Sequence, residues 1–193
     1  MPVEIVNVRT LYQGWSKLSL ASVRMEVGRT VERLIEDHGR AVCVLPYDPE
    51  RRVAMLVRQF RAPVFLTIPG DNLLEAPAGL TDGEPPETAA AREAIEETGL
   101  RLRALDRVAT LWTMPGISTE QMDLFLARYA ETDRVASGGG HPSETEDITV
   151  IEMSLPELAA MADDGRIEDM KTFVLIQTLR LREPRLFHPA GAR

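Results

Sequence analysis

The first 35 residues alternate apolar and polar positions in short runs. Val3-Glu4-Ile5-Val6-Asn7-Val8 and Leu18-Ser19-Leu20-Ala21-Ser22-Val23-Arg24-Met25-Glu26-Val27 carry the period-two pattern of half-buried strands and predict a small antiparallel sheet. Such a sheet is marginal in water by itself and has to pack on something larger. Two richer strands follow, Ala41–Leu45 and Val53–Val57, with a turn predicted at Pro46-Tyr47-Asp48-Pro49-Glu50 from its prolines and Asp. Leu73–Ala76 reads as another short strand, ending at Pro77. Glu84-Pro85-Pro86-Glu87 then opens a run of good helix formers, Thr88–Thr98, closed by Gly99. Proline in the first turn and glycine just past the end are the usual punctuation of a helix. Strands resume at Val108–Thr113, Met122–Tyr129 and Ile148–Met153, and the glycine-rich stretch Ser137–Asp147 reads as a loop. Leu155–Asp163 and Thr172–Arg182 have helical apolar spacing, and the tail from Glu183 to Arg193 is expected to be loosely ordered. No internal repeat is visible. The sum is an α+β chain, a mixed sheet with a few helices.

Composition narrows the function. A length of 193 residues fits one domain, or one domain with a small appendage. With 30 acidic against 22 basic residues and no Lys/Arg cluster, the chain lacks the basic face of a nucleic-acid binder. An acidic protein still holds a small phosphorylated ligand when a metal ion stands between the like charges. The sequence holds no run of about 18 apolar residues, the length needed to span a membrane, and the N-terminus lacks the features of a secretory signal. The single cysteine, Cys43, sits in an apolar run, so it reads as a buried strand residue, and cytoplasmic residence is the default.

The chemistry concentrates in Ala78-Gly79-Leu80-Thr81-Asp82-Gly83-Glu84 and the helix Arg92-Glu93-Ala94-Ile95-Glu96-Glu97-Thr98-Gly99-Leu100. At about 100° per residue, Glu97 lies about 40° to one side of Glu93 and Glu96 about 60° to the other. Three carboxylates therefore share one narrow face, and Arg92 reaches Glu96 at i,i+4. A solvated acidic face is the bland interpretation. Against it stand the helix dipole, which disfavours acids near the C-terminal end, and the repulsion among three acids, which a divalent cation relieves. Magnesium takes hard oxygen ligands, commonly one or two carboxylates plus substrate phosphate.

This segment resembles the Nudix box, a glycine-to-glutamate loop followed by a helix bearing Arg-Glu-(apolar)-x-Glu-Glu-x-Gly-(apolar). Glu84 takes the upstream acidic position, and the loop is one residue shorter than usual. The resemblance extends to Val57-Arg58-Gln59-Phe60-Arg61, Leu74-Glu75-Ala76-Pro77-Ala78-Gly79 and Pro115-Gly116 before Glu120, as in the ADP-ribose pyrophosphatase branch. Gly138-Gly139-Gly140 followed by Glu146-Asp147-Ile148, and the late Gly165…Lys171-Thr172, are similar to its GDP-mannose hydrolase group. It implies a Nudix fold, a mixed sheet in an α/β/α sandwich spanning 38–193, with a small antiparallel β domain at 1–37 that makes a homodimer. It also implies Mg²⁺-dependent hydrolysis of the diphosphate bond of a nucleoside diphosphate sugar, GDP-mannose giving GMP and mannose 1-phosphate, with Mn²⁺ as the alternative metal. Where the group carries a basic–basic–acidic stretch, this chain has Val31-Glu32-Arg33, which keeps ADP-ribose open as a substrate. A non-catalytic Nudix ligand sensor is the competing class. Retention of Glu93, Glu96 and Glu97 speaks against it.

By the same resemblance the metal is held by Glu93, Glu97 and the backbone carbonyl of Ala78, with Glu146 joining from the loop. Glu96 ligates or positions water, and Arg92 orients the glutamates. Glu146 is the catalytic base, with Glu144 its competitor; solubility is the bland interpretation of both. Arg61 and Lys171 are candidates for phosphate contacts, against a surface salt bridge for Arg61. Ala78 and Gly79 line the substrate, Glu120 meets the sugar or second phosphate, and Trp15 stacks on the base from the partner subunit, against ordinary packing. His38, His141 and His188 lack metal-ligand spacing and read as turn or tail residues.

Overall fold

The computed structural model describes residues 2–70, 72–140 and 147–188. The chain divides into two compact units, Met1–Ala41 with Thr110–Met122, and Val42–Ala109 with Asp123–Arg193.

In the first unit, β1 (Glu4–Gln13), β2 (Lys17–Arg24) and β3 (Thr30–Asp37) form a three-stranded antiparallel sheet in the order β1-β2-β3. β1 departs from expectation, because it is exposed along its whole length instead of half-buried. It pairs only on its β2 side, so Ile5, Val8, Leu11 and Tyr12 stay in solvent, and burial concentrates at Ser19 and Ala21 of β2. β3 was not anticipated, since Thr-Val-Glu-Arg-Leu-Ile-Glu-Asp breaks the alternation; its pairing with β2 supplies what local pattern does not. The turn after residue 113 docks on the end of β3. Glu36 N–H donates to the Ile117 carbonyl (2.8 Å), and Thr119 N–H donates to the Glu36 carbonyl (2.9 Å).

The larger sheet is built from β4 (Ala41–Asp48), β5 (Val53–Gln59), β6 (Leu73–Glu75), β7 (Ala78–Leu80), β8 (Asp106–Trp112), β9 (Gln121–Arg128) and β10 (Ile148–Ser154). Its order is β10-β5-β4-β9-β8, with β6 beside β5 and β7 beside β4. The helices are α1 (Ala62–Thr67), α2 (Pro86–Thr98), α3 (Leu155–Asp163) and α4 (Met170–Arg182). The expected mixed-sheet α+β architecture is the one found. Ala89, Ala90 and Ala94 of α2 pack with Val42, Val44, Met55, Phe125 and Ala127 in one core. Alanine at those helix positions lets the helix axis approach the sheet closely. Cys43, Leu45, Leu56, Leu124 and Leu126 are equally buried and, by strand alternation, face the other way. α3 and α4 pack on each other, burying Leu155, Leu158, Leu175, Ile176 and Leu179. Each such side chain contributes about 1.5–3 kcal/mol by leaving water.

Three local expectations are corrected. β4 runs on through Pro46 and Tyr47 to Asp48, whose carboxylate accepts the N–H groups of Glu50 (2.9 Å) and Arg51 (3.1 Å) and so makes the turn later. The described part of the tail holds a 3-10 turn at Pro184–Phe187, where Phe187 is buried and the Leu186 carbonyl accepts from Arg52 Nε at 2.9 Å. The short α1, with none of its residues buried, followed no apolar periodicity and was not anticipated. Among the described residues no helix is long and apolar enough to cross a membrane.

Candidate active site

The acidic helix is held at both ends by its own sequence. Ahead of it, Asp82 (φ 50°) and Gly83 (φ 84°) take the left-handed conformation, and Glu84 N–H closes the turn on the Thr81 carbonyl at 2.8 Å. Pro86 sits in the first turn, where a missing N–H costs nothing, and Gly99 ends the helix with φ 74°. The helix's last carbonyls then meet the glycine run. Gly139 N–H donates to the Glu97 carbonyl (2.9 Å) and Gly140 N–H to the Glu96 carbonyl (3.1 Å). These bonds satisfy acceptors that a helix end leaves orphaned. A side chain at Gly138 would run into the Glu97 carbonyl and the Thr98 backbone, so the approach requires glycine.

Glu93 and Glu97 are buried, with 9% and 1% exposure, on the face toward β7. Glu97 Oε2 accepts the Ala78 N–H at 3.1 Å. A Cβ on Gly79 would collide with the Glu93 carboxylate. The two carboxylates thus close on consecutive residues of β7. Arg92 donates to Glu84 (3.0 Å), Glu93 (2.8 Å), Glu96 (2.9 Å) and the Leu80 carbonyl (3.0 Å). Burial works to lower the Arg92 pKa, but these carboxylates outweigh it and leave the guanidinium firmly charged. Among the described residues Arg92 faces four acids, Glu84, Glu93 and Glu96 with Asp82 at 3.8 Å, so negative charge outnumbers positive around it. Hard oxygen donors, surplus charge and the space kept by Gly79 fit a divalent cation. Among the described residues the carboxylates are turned to Arg92 and the backbone, and no three His, Cys, Asp or Glu side chains gather as a ready-made metal group. Glu146 and Glu144 lie outside the described residues, as does His141.

Behind β7 lies a polar network that sequence inspection missed. Glu75, with 1% exposure, receives two bonds from Arg61 (2.7 and 2.9 Å) and one from Lys171. Burial pushes the Glu75 carboxyl up, but the Arg61 hydrogen bond and the Lys171 charge hold it below its usual range. Lys171 also donates to Asp169 (2.9 Å), and Thr172 Oγ1 accepts the Ala76 N–H at 2.6 Å. Val44 N–H donates to the Pro77 carbonyl at 2.9 Å. From Glu75 to Pro77, each residue is therefore fixed by a named bond, just before the pair that the glutamates enclose. Arg61 and Lys171, anticipated as phosphate contacts, share Glu75 as a carboxylate partner, and Lys171 pairs with Asp169 as well. The available signal was Asp169-Met170-Lys171-Thr172, a helix N-cap spacing: Asp169 accepts Thr172 N–H at 3.0 Å and starts α4 two residues before the predicted Thr172.

In the first unit, Glu120 is buried and its Oε2 lies 2.5 Å from His38 Nε2. Trp15 is 77% exposed and stacks on the His38 ring, with centroids 5.1 Å apart and planes at 17°. His38 follows β3 in irregular backbone, but it is bonded on both nitrogens, which its sequence position does not announce.

The NUDIX domain model matches residues 37–174. A GDP-mannose pyrophosphatase of Cronobacter sakazakii is 41% identical over 152 residues, 78% of this chain and 78% of that protein. One of Pectobacterium atrosepticum is 37% identical over 188 residues, covering 94% and 95%, and one of Yersinia enterocolitica is 35% identical over 184 residues, covering 92% and 95%. With an intact acidic helix and a family match over most of its length, the chain belongs to the NUDIX domain family and is a Nudix hydrolase.

Proposed function

We propose that this enzyme hydrolyses the diphosphate bridge of a nucleoside diphosphate sugar, GDP-mannose foremost, giving GMP and mannose 1-phosphate. The observation that carries the chemistry is the pair of buried glutamates, Glu93 and Glu97, closing on Ala78 and Gly79. The relatives named GDP-mannose pyrophosphatase support the substrate, since two of them align over nearly the whole chain.

Glu93, Glu97 and the Ala78 carbonyl would hold the divalent ion, Mg²⁺ in our assignment with Mn²⁺ able to replace it. When bound, such an ion neutralises the diphosphate and polarises a phosphorus–oxygen bond. Arg92 holds Glu93 and Glu96 in place, and Glu96 orients water. The water oxygen forms a new bond to phosphorus, the bridging phosphorus–oxygen bond breaks, and a carboxylate takes the water's proton. We assign the base to Glu146, with Glu144 as the alternative. Gly79 leaves the close approach to substrate that a side chain would block. Arg61 and Lys171 contribute positive charge to the diphosphate while neutralising Glu75. Trp15 and Glu120 are assigned to the base and to the sugar or second phosphate on the family resemblance. The 1–37 segment is proposed to join two copies of the chain, and the enzyme is proposed to be cytoplasmic.

The test is a panel of GDP-mannose, ADP-ribose and other sugar nucleotides with Mg²⁺, products identified by mass. GMP with mannose 1-phosphate supports the assignment. AMP with ribose 5-phosphate as the main products replaces it with ADP-ribose hydrolysis. Tight binding without turnover makes the chain a ligand sensor.

A further inference from the structure

Four residues of the first unit close a ring of hydrogen bonds, of which the proposed chemistry uses only Glu120. His38 lies between two carboxylates, with Nδ1 2.7 Å from Glu36 Oε1 and Nε2 2.5 Å from Glu120 Oε2. Ser118 Oγ donates to Glu36 Oε2 at 2.8 Å, and Glu120 N–H donates to Ser118 Oγ at 3.1 Å, which completes the circuit. The backbone bonds of Glu36 to Ile117 and Thr119 fasten the two strands of the ring together. Trp15, from the β1–β2 turn, covers one face of the imidazole.

A neutral imidazole has one donor and one acceptor, so it would set a lone pair against one of these carboxylates. Only the imidazolium donates to both. The charged groups facing the ring are Glu36, from β3, and Glu120, from the turn after residue 113; the neighbouring Asp37 is engaged by Thr119 Oγ1 at 2.9 Å.

We propose that His38, as the imidazolium, is the positioning residue of Glu120: it offsets part of the carboxylate's charge and fixes its orientation, so that Glu120 accepts a hydrogen bond from a sugar hydroxyl with less repulsion of the diphosphate. This rests on the assignment of Glu120 to the substrate. Burial of the ring lowers its pKa, but bonds and charges from Glu36 and Glu120 outweigh this and raise it. A stacked indole favours the cationic form as well. A raised folded value means that the clamp is complete at low pH and is lost as the pH climbs through it.

Two measurements test the proposal on the full chain. Nitrogen-15 NMR of the imidazole, without substrate, should show both ring nitrogens protonated at pH 7 and deprotonation above the ordinary imidazole range, moving down in Glu120→Gln. In hydrolysis of GDP-mannose, His38→Gln should raise KM about tenfold, the loss expected for a hydrogen bond to a charged group. It should leave kcat within about threefold and abolish the rise of KM toward alkaline pH that the clamp predicts for the unaltered enzyme. A singly protonated ring at pH 7 overturns the proposal. So does a His38→Gln enzyme with the original KM and the original pH profile. Absence of turnover of any sugar nucleotide by the unaltered chain would overturn the functional assignment instead, and the NMR result separates the two.

Discussion

Thr172→Val is the sharpest probe of the network behind the acidic helix. Thr172 is fully buried; its hydroxyl accepts the Ala76 N–H at 2.6 Å and donates to Asp169 Oδ2 at 2.5 Å. Valine preserves the shape and removes both bonds. The Ala76 N–H then has no acceptor in a dry interior, which costs about 1–3 kcal/mol. Asp169 keeps its bonds from Thr172 N–H and Lys171, so its loss adds only about 1 kcal/mol. The sum is about 2–4 kcal/mol, or a fall in Tm of roughly 5–15 °C for a chain of this size. Thr172→Ser keeps the hydroxyl and sheds one methyl, worth about 0.8 kcal/mol. Scanning calorimetry of the three proteins gives the comparison. Ala76 precedes Ala78 by two residues, so Mn²⁺ titration followed by electron paramagnetic resonance should also show about tenfold weaker binding in Thr172→Val. A Val variant as stable as the Ser variant would refute the claim that this hydroxyl pins the strand.

Gly79→Ala drives a methyl into the Glu93 carboxylate and should lower kcat about 100-fold through misplacement of the site, with Mn²⁺ affinity measured alongside. Gly138→Ala forces a side chain onto the Glu97 carbonyl at φ 72° and should cost about 1–3 kcal/mol in thermal unfolding. Glu75→Gln removes the charge that Arg61 and Lys171 share, leaving Lys171 its bond to Asp169, and should cost about 1.5–3 kcal/mol at pH 7. The Glu75 pKa is lowered on folding, so its contribution is complete above about 4.3 and is lost as the pH falls through the folded value; Tm curves of the two proteins should converge toward acid.

The sequence was most readable where local rules agree. The prolines at 85 and 86, the alanine face and Gly99 mark α2, and the observed helix begins and ends where that punctuation requires. Apolar runs gave β4, β5, β9 and β10 for the same reason. β3 and α1 escaped because their stability comes from pairing and chain connection, not from a periodic apolar face. The acidic face of α2 was legible through its spacing together with the resemblance to the Nudix box. What was hidden is tertiary: that Arg61 and Lys171 converge on Glu75 across 14 and 96 residues, and that His38 joins Glu120 across 82. No window of sequence contains such a pair. The role of Gly138 was hidden too, since a glycine run reads as a loop whether or not a helix end docks on it.

The most direct test compares GMP release from GDP-mannose with Mg²⁺ by the unaltered protein and by Glu97→Gln, with circular dichroism confirming that both are folded. The account predicts turnover by the former and a fall of at least about 100-fold in the latter, since several kcal/mol of charge stabilisation depend on that carboxylate. Equal rates in the two proteins would contradict it.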